Sequence, residues 1–221
     1  MGQEYIRRVS VIGNVPQQGD VIYADDFEST YRWLTTASGN GTAVKSSSDS
    51  LSLANSLLMT SDTAAPADNQ TVMARRRLFL PQSAQISFGV SFSSTALREL
   101  ERVQLRAIWL DGVNQNVATI AYLRLGTQIQ IFTDSGTQII PNSVLSLSRW
   151  SWHRLSFSIN FLTRQYINVK LDNRLYDVSA LSYAFLPDSS ASLLDIEILM
   201  QINTAASQFI NFDDVLISNI L

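Results

Sequence analysis

Residues 150–173 constrain this chain more than any other stretch. Leu155, Phe157 and Ile159 alternate with Ser156, Ser158 and Asn160, and Ile167, Val169 and Leu171 alternate with Asn168 and Lys170. Successive side chains of a strand point to opposite faces, so this period of two gives two strands, each with one buried face. Residues 161–165 between them are few enough to make the pair an antiparallel hairpin.

The rest of the chain offers more of the same material. Ile86, Phe88, Val90 and Phe92 alternate with Ser and Gln, residues 72–80 form a strand stopped by Pro81, and Leu51, Leu53, Leu57 and Met59 suit two short strands turning at residues 54–56. Val103, Leu105 and Ala107 run into the turn Asp111-Gly112, followed by a strand over 117–125. Residues 128–132 and 137–140 form a hairpin around Asp134 to Gly136. Ile196, Ile198, Met200 and Ile202 mark a long strand, and residues 209–217 a final one. Residues 37–50, 61–69 and the surroundings of Pro187 read as loops. A helical turn or two is suspected only at residues 95–102. Roughly thirteen strands at short spacing, with no internal repeat, predict an all-β sandwich or barrel.

Composition agrees with one globular β-domain: 221 residues, 46% of them hydrophobic and 16% charged. A chain without cysteine has no disulfide framework, thiolate metal site or cysteine nucleophile. A net charge of −3 and a pI near 5.1 give no overall attraction to nucleic acid or to anionic membranes, so neither is an expected partner. No apolar run approaches the ~20 residues of a membrane span, and the start lacks the basic-then-apolar order of a secretion signal. Residues 1–20 stand apart. Tyr5, Ile6, Arg7, Arg8 and Val9 belong to a possible short strand, and a Gly-, Pro- and Gln-containing linker follows. They are expected to form either an edge strand folded back on the domain at 21–221 or an arm that pairs with a partner.

Trp152-His153 opening an amphipathic strand, then a polar turn, a second strand from Tyr166 and a turn begun by Asp172, resembles the hairpin of concanavalin A-like and laminin G-like jelly rolls. The opening Asp26-Phe27-Glu28 with Trp33, and the closing run from Asn211 to Ile217, resemble the first and last strands of these sandwiches and of related carbohydrate-binding modules. The resemblance covers about residues 21–221 and implies an antiparallel jelly-roll β-sandwich. Asn173 stands where that hairpin usually has glycine, a replacement Asn allows because it tolerates positive φ.

Candidate chemistry is sparse. The lone histidine, His153, reads as a hydrogen-bonded structural residue, and one His without Cys makes a transition-metal site improbable. Asp195 with Glu197, and Glu99 with Glu101, have the same-face spacing of a strand, but each lacks the third carboxylate of the Glu-x-Asp-x-x-Glu or similar motif that the resemblance to concanavalin A-like glycosidases would imply; both pairs are expected on solvated faces, and the chain is expected not to be an enzyme. The resemblance implies that the two ends of the domain meet, which brings Asp26, Glu28, Asp213 and Asp214 together either as a structural calcium site or as carboxylates capped by backbone N–H groups or arginine. Arg75 and Arg77 share one strand face and Arg76 takes the other, the pattern of a salt-bridged face. Tyr122, Tyr176 and Tyr183 are candidates for stacking against a sugar, with Phe132 and Tyr166 further aromatics of the same kind. No cofactor other than that calcium is implied.

Sandwiches of this kind usually work outside cells. A chain that starts at its own methionine without an export signal can do so as part of a virus particle. The leading expectation is therefore a virion component, a capsid decoration or tail-associated protein that self-associates or docks on a capsid subunit. The alternative is an extracellular glycan-binding domain.

Overall fold

The computed structural model describes residues 20–30, 32–52, 54–62, 70–78, 84–94, 100–123, 128–140, 151–202 and 208–220. These contain sixteen strands and no helix. In chain order they are β1 (Val21–Asp25), β2 (Leu34–Ala37), β3 (Thr42–Ser46), β4 (Ser56–Thr60), β5 (Thr71–Leu78), β6 (Gln85–Ser94), β7 (Leu100–Leu110) and β8 (Asn114–Leu123). There follow β9 (Gln128–Thr133), β10 (Gly136–Ile139), β11 (Trp152–Asn160), β12 (Gln165–Leu171), β13 (Arg174–Asp177), β14 (Ala184–Pro187), β15 (Leu193–Ile202) and β16 (Phe209–Asn219). Sheet I runs β13-β12-β11-β6-β16-β4-β3, with β1 also paired to β16; sheet II runs β10-β9-β8-β7-β15-β5-β2, with β14 also paired to β8. Consecutive hairpins are joined in the sheets by strands far apart in sequence, as in β6 against both β11 and β16. That is why the hairpin alone could not dictate the topology.

One core fills the space between the sheets. Phe88, Phe92, Phe157 and Phe212 of sheet I meet Leu105, Ile120, Ile131 and Ile198 of sheet II, all at 1% exposure or less. These residues alternate with polar ones on every long strand, which is the alternation visible in the sequence.

The central hairpin is β11 and β12, with two differences from expectation. The register slips between Ser158 and Ile159, so that Tyr166, not Ile167, lies opposite Ile159 and enters the core. A bulge re-aims side chains in this way, and strict alternation cannot reveal it. The second difference is in the turn to β13, where the left-handed residue is Asp172 (φ 52°), not Asn173. Its carboxylate is anchored to β11, accepting the Arg154 N–H at 2.8 Å and lying 2.9 Å from His153 Nδ1.

Elsewhere, Leu100, Glu101 and Arg102 open β7, so the part of the suspected helix that is described is strand; residues 95–99 lie outside the described residues. Strands β2 and β3 occupy part of the stretch read as loop, and β14 lies at Pro187. All residues of β2 are exposed and most of β14 are, so neither carries a buried face for a pattern to register. Leu51 is in no strand; its N–H goes to Asp213 instead of to a ladder. Of the expected arm, residues 1–19 lie outside the described residues, and Asp20 accepts the Asn219 N–H.

Candidate functional site

Strands β5, β15, β7, β8 and β9 turn Ala74, Ile196, Ile198, Leu105, Ala107, Ile120 and Ile131 into the core. The alternate positions therefore face outward from sheet II. Register aligns one of each into a row across five strands: Arg75, Glu197, Arg106, Thr119 and Phe132. At about 4.8 Å between strands the row is about 19 Å long. Arg77 and Asp195 stand beside its β5 end, and Gln104, Gln201 and Arg102 stand farther along β7 and β15.

The expected solvated face is not what forms here. Asp195 is fully buried and Glu197 is 4% exposed. Two carboxylates withdrawn from water need cations, and the neighbouring strands supply them. Arg77 grips Asp195 with two bonds, Nε to Oδ1 at 3.1 Å and Nη2 to Oδ2 at 3.2 Å, while Arg75 Nη2 also donates to Oδ2. Arg106 Nη1 reaches Glu197 Oε2 at 3.0 Å, with Arg75 Nε 3.9 Å from Oε1. The bond to Asp195 pushes the Arg77 guanidinium above its ordinary value. Arg75 and Arg77 thus form the salt-bridged face read from their spacing. Arg102 differs: Nε donates to the neutral Gln201 Oε1 at 2.6 Å, and its guanidinium lies 6.0 Å from the centre of the Phe132 ring.

Tyr166, brought inward by the bulge in β12, supports this face from behind. Its hydroxyl accepts the Thr119 N–H at 2.8 Å, with Thr119 O at 3.0 Å and Phe132 O at 2.8 Å within reach of its single proton. Burial pushes this phenol well above the ordinary tyrosine range. The central hairpin therefore fixes the backbone from which Thr119 and Phe132 project.

The acids at the ends of the domain do come close in the fold, but not as one ligand set. Glu28 is taken up by the Ala54 N–H, the Asn55 N–H and Asn55 Nδ2 at 2.7, 2.6 and 2.8 Å. Asp26 Oδ1 accepts the Glu28 N–H at 3.1 Å. Asp213 accepts the N–H groups of Leu51, Ser52 and Asp214 and lies 3.1 Å from the Ser52 hydroxyl. Asp25, next to Asp26 in sequence, takes the Phe27 N–H, the Tyr23 hydroxyl and Trp33 Nε1, which holds Phe27 at the unusual φ of 56°. Asp214 is the exception. It sits at φ 49°, is 7% exposed, and neither carboxylate oxygen makes a hydrogen bond of good geometry, the Ser52 hydroxyl acting on it only weakly. Burial first, then the charge of Asp213, pushes it up to about 6, against the opposing pull of Arg154. Arg154 Nη1 donates to the main-chain oxygen of Asp214 instead of to its carboxylate. Among the described residues no three His, Cys, Asp or Glu side chains gather closely enough to hold a metal ion. The expected set of Asp26, Glu28, Asp213 and Asp214 is not gathered as one group, and Glu28 is held by its own donors.

The stacking candidates are corrected in the same way. Tyr122 is 1% exposed and Tyr183 is fully buried, so neither offers a ring to a ligand, and Tyr176 is partly buried against the core. Phe132 is the aromatic on the outer face of sheet II. Glu99 and the arm residues Tyr5, Ile6, Arg7, Arg8 and Val9 lie outside the described residues, and so does the side chain of Glu101. Sequence spacing pointed to Arg75, Arg77, Asp195 and Glu197 separately. Gln104, Arg106 and Gln201 drew no attention, because a polar residue at an outward strand position looks the same whether its face is solvated or not.

No protein-family model matches the chain, and no curated protein resembles it in sequence. Solved structures match its fold. An endo-β-1,4-glucuronan lyase from the fungus Trichoderma reesei aligns over 90% of this chain and 95% of its own, with a TM-score of 0.63 at 11% identity. Lectin UEA-II, in complex with galactose, aligns over 91% and 100% with a TM-score of 0.53 at 8% identity. The carbohydrate recognition domain of Emp46p, in a potassium-bound form, aligns over 93% and 99% with a TM-score of 0.53 at 11% identity. The protein is a lectin-like jelly-roll β-sandwich. Because a lyase uses this fold over nearly its whole length, the expectation of a non-enzyme does not stand.

Proposed function

We propose that the protein binds carbohydrate and that the glycan lies across the outer face of β5, β15, β7, β8 and β9. The observation that carries this reading is the row of polar and charged side chains on that face, held in fixed positions by buried partners. Sugars are bound through many hydrogen bonds of defined direction, and groups already locked by neighbours bind with little loss of freedom. The Arg75, Arg77 and Arg106 side chains are locked by Asp195 and Glu197, and the backbone at Thr119 by Tyr166. Glucuronan lyase, lectin UEA-II and the Emp46p domain are carbohydrate proteins by name, which favours this reading over a capsid or tail component. The virion setting rested on the lack of an export signal, to which the fold adds no support. The proposed setting is extracellular.

The test is retention of the purified chain in gels containing a panel of neutral and acidic polysaccharides. At least one should retard it, and Arg106→Ala should weaken that retardation while the circular dichroism stays that of a β-sandwich. A chain that migrates freely through every polysaccharide, yet assembles with itself or with a capsid protein, would return the virion reading.

A further inference from the structure

The charges on the outer face of sheet II do not cancel. Among the described residues, four arginines, Arg75, Arg77, Arg102 and Arg106, share it with two carboxylates. Asp195 takes Arg75 and Arg77, and Glu197 takes Arg106, so one of the two surplus positive charges is shared by the pair on Asp195 and the other is Arg102, which has no carboxylate partner and bonds the neutral amide of Gln201. This surplus is local. The whole chain carries a net charge of −3, and all but two of its 16 basic residues, Lys45 and Lys170, are arginine. A guanidinium offers a planar fork of donors that matches a carboxylate, whereas an ammonium does not. The Arg102 guanidinium also sits over the Phe132 ring, at the β9 end of the row. A charged fork beside an apolar ring suits a pyranose that carries a carboxylate: the ring packs on the C–H face of the sugar and the fork takes the acid group.

Resting on the glycan-binding reading, we infer that the ligand is an acidic glycan built from uronate residues, and that Arg102 with Phe132 recognises one uronate carboxylate and its ring. The rest of the row, at Arg106 and Arg75, then meets the neighbouring sugars of the same chain. Arg106 and Arg75 keep their carboxylate partners and act as hydrogen-bond donors there, while Arg102 supplies a charge with no carboxylate partner.

The experiment is calorimetric titration of the protein with oligoglucuronates, with the same oligosaccharides after reduction of their carboxyl groups, and with dextran sulfate. The expected result is binding of the oligoglucuronate at least about tenfold tighter than of its reduced form, the effect of one charge-assisted hydrogen bond. Arg102→Gln should remove that preference, weakening binding of the acidic form about tenfold more than of the reduced form. Phe132→Leu should weaken both. Because Arg102 is part-exposed, its replacement is expected to keep the thermal midpoint, which is measured alongside. Equal binding of the acidic and reduced forms overturns the uronate inference and leaves glycan binding standing. So does a preference that survives Arg102→Gln, or dextran sulfate binding as tightly as the uronate, which would mean ion exchange only. Failure of every carbohydrate, here and in the polysaccharide gels, overturns both readings.

Discussion

Two pairs of nearby acids are buried on opposite sheets of this sandwich, and they are compensated differently. On sheet II, Asp195 and Glu197 stand two residues apart on a regular strand, so both point to the same outer face and meet arginines from β5 and β7. On sheet I, Asp213 and Asp214 are adjacent, and the ladder between β16 and β6 is irregular between Asp213 and Leu216. Asp213 faces out to the Leu51 and Ser52 N–H groups, while Asp214, at positive φ, keeps both oxygens without a donor of good geometry. Regular strands let distant charges be placed against one another. An irregularity satisfies one acid and leaves the next short of partners. Sheet II consequently has cation to spare, and sheet I has an anion under strain.

Asp195→Ala is the strongest way to break this contrast. It removes the buried acceptor shared by Arg75 and Arg77, whose partly exposed guanidinium groups remain hydrated, for a loss of about 2 kcal/mol in urea unfolding. Asp195→Asn, which keeps the shape and an acceptor oxygen, should lose less. If both variants unfold at the wild-type midpoint, the network does not hold the face in place.

Asp214→Asn should have the opposite sign. The folded-state value, about 6, lies above the ordinary 3.8, so the native state holds this proton more tightly than the unfolded chain does. The stability that comes from the protonated acid is complete below about pH 4 and is lost as pH rises through about 6. Asparagine tolerates positive φ and carries no charge. The variant should therefore melt about 3 °C higher than wild type at pH 8 and almost together with it at pH 4. Equal shifts at both pH values would show that charge is not the cause. Repeating the pH 8 melt with calcium adds a second reading: a calcium-dependent gain in wild type that disappears in the variant would mean that a cation, not a proton, relieves Asp214.

The contrast also explains what could be read from the sequence and what could not. Alternation at Phe88 to Phe92, Leu155 to Ile159 and Ile196 to Ile202 reports burial on one side of a strand, and that was enough for an all-β sandwich. The same alternation is silent on whether the opposite side is wet. Asp195 and Glu197 looked solvated for that reason, and Arg106, the partner of Glu197, comes from a strand 91 residues away. Aromatic identity misled in a similar way, since Tyr122 and Tyr183 fill the core while Phe132, less conspicuous as a sugar platform, points outward. The bulge in β12 and the irregularity in β16 carry no compositional mark at all, yet they decide where Tyr166 and Asp214 go. A pair of acids at the end of a strand is visible in one dimension; which of them finds a donor is decided by the strand beside it.

Ser52→Ala gives the smallest expected effect and the finest test of that last point. The Ser52 hydroxyl lies 3.2 and 3.1 Å from the two oxygens of Asp213, but three backbone N–H groups already serve that carboxylate. Burial pushes Asp213 upward and these donors pull against it, so removing one of them should raise it further. The loss should be about 0.5–1 kcal/mol, the net worth of one hydrogen bond among several. It should be larger at pH 8, where the carboxylate is charged, than near pH 4, where protonation makes the hydroxyl less useful. A loss as large as that of Asp195→Ala would mean that Asp213 depends on a side-chain partner as Asp195 does, and the two sheets would then hold their acids by the same means.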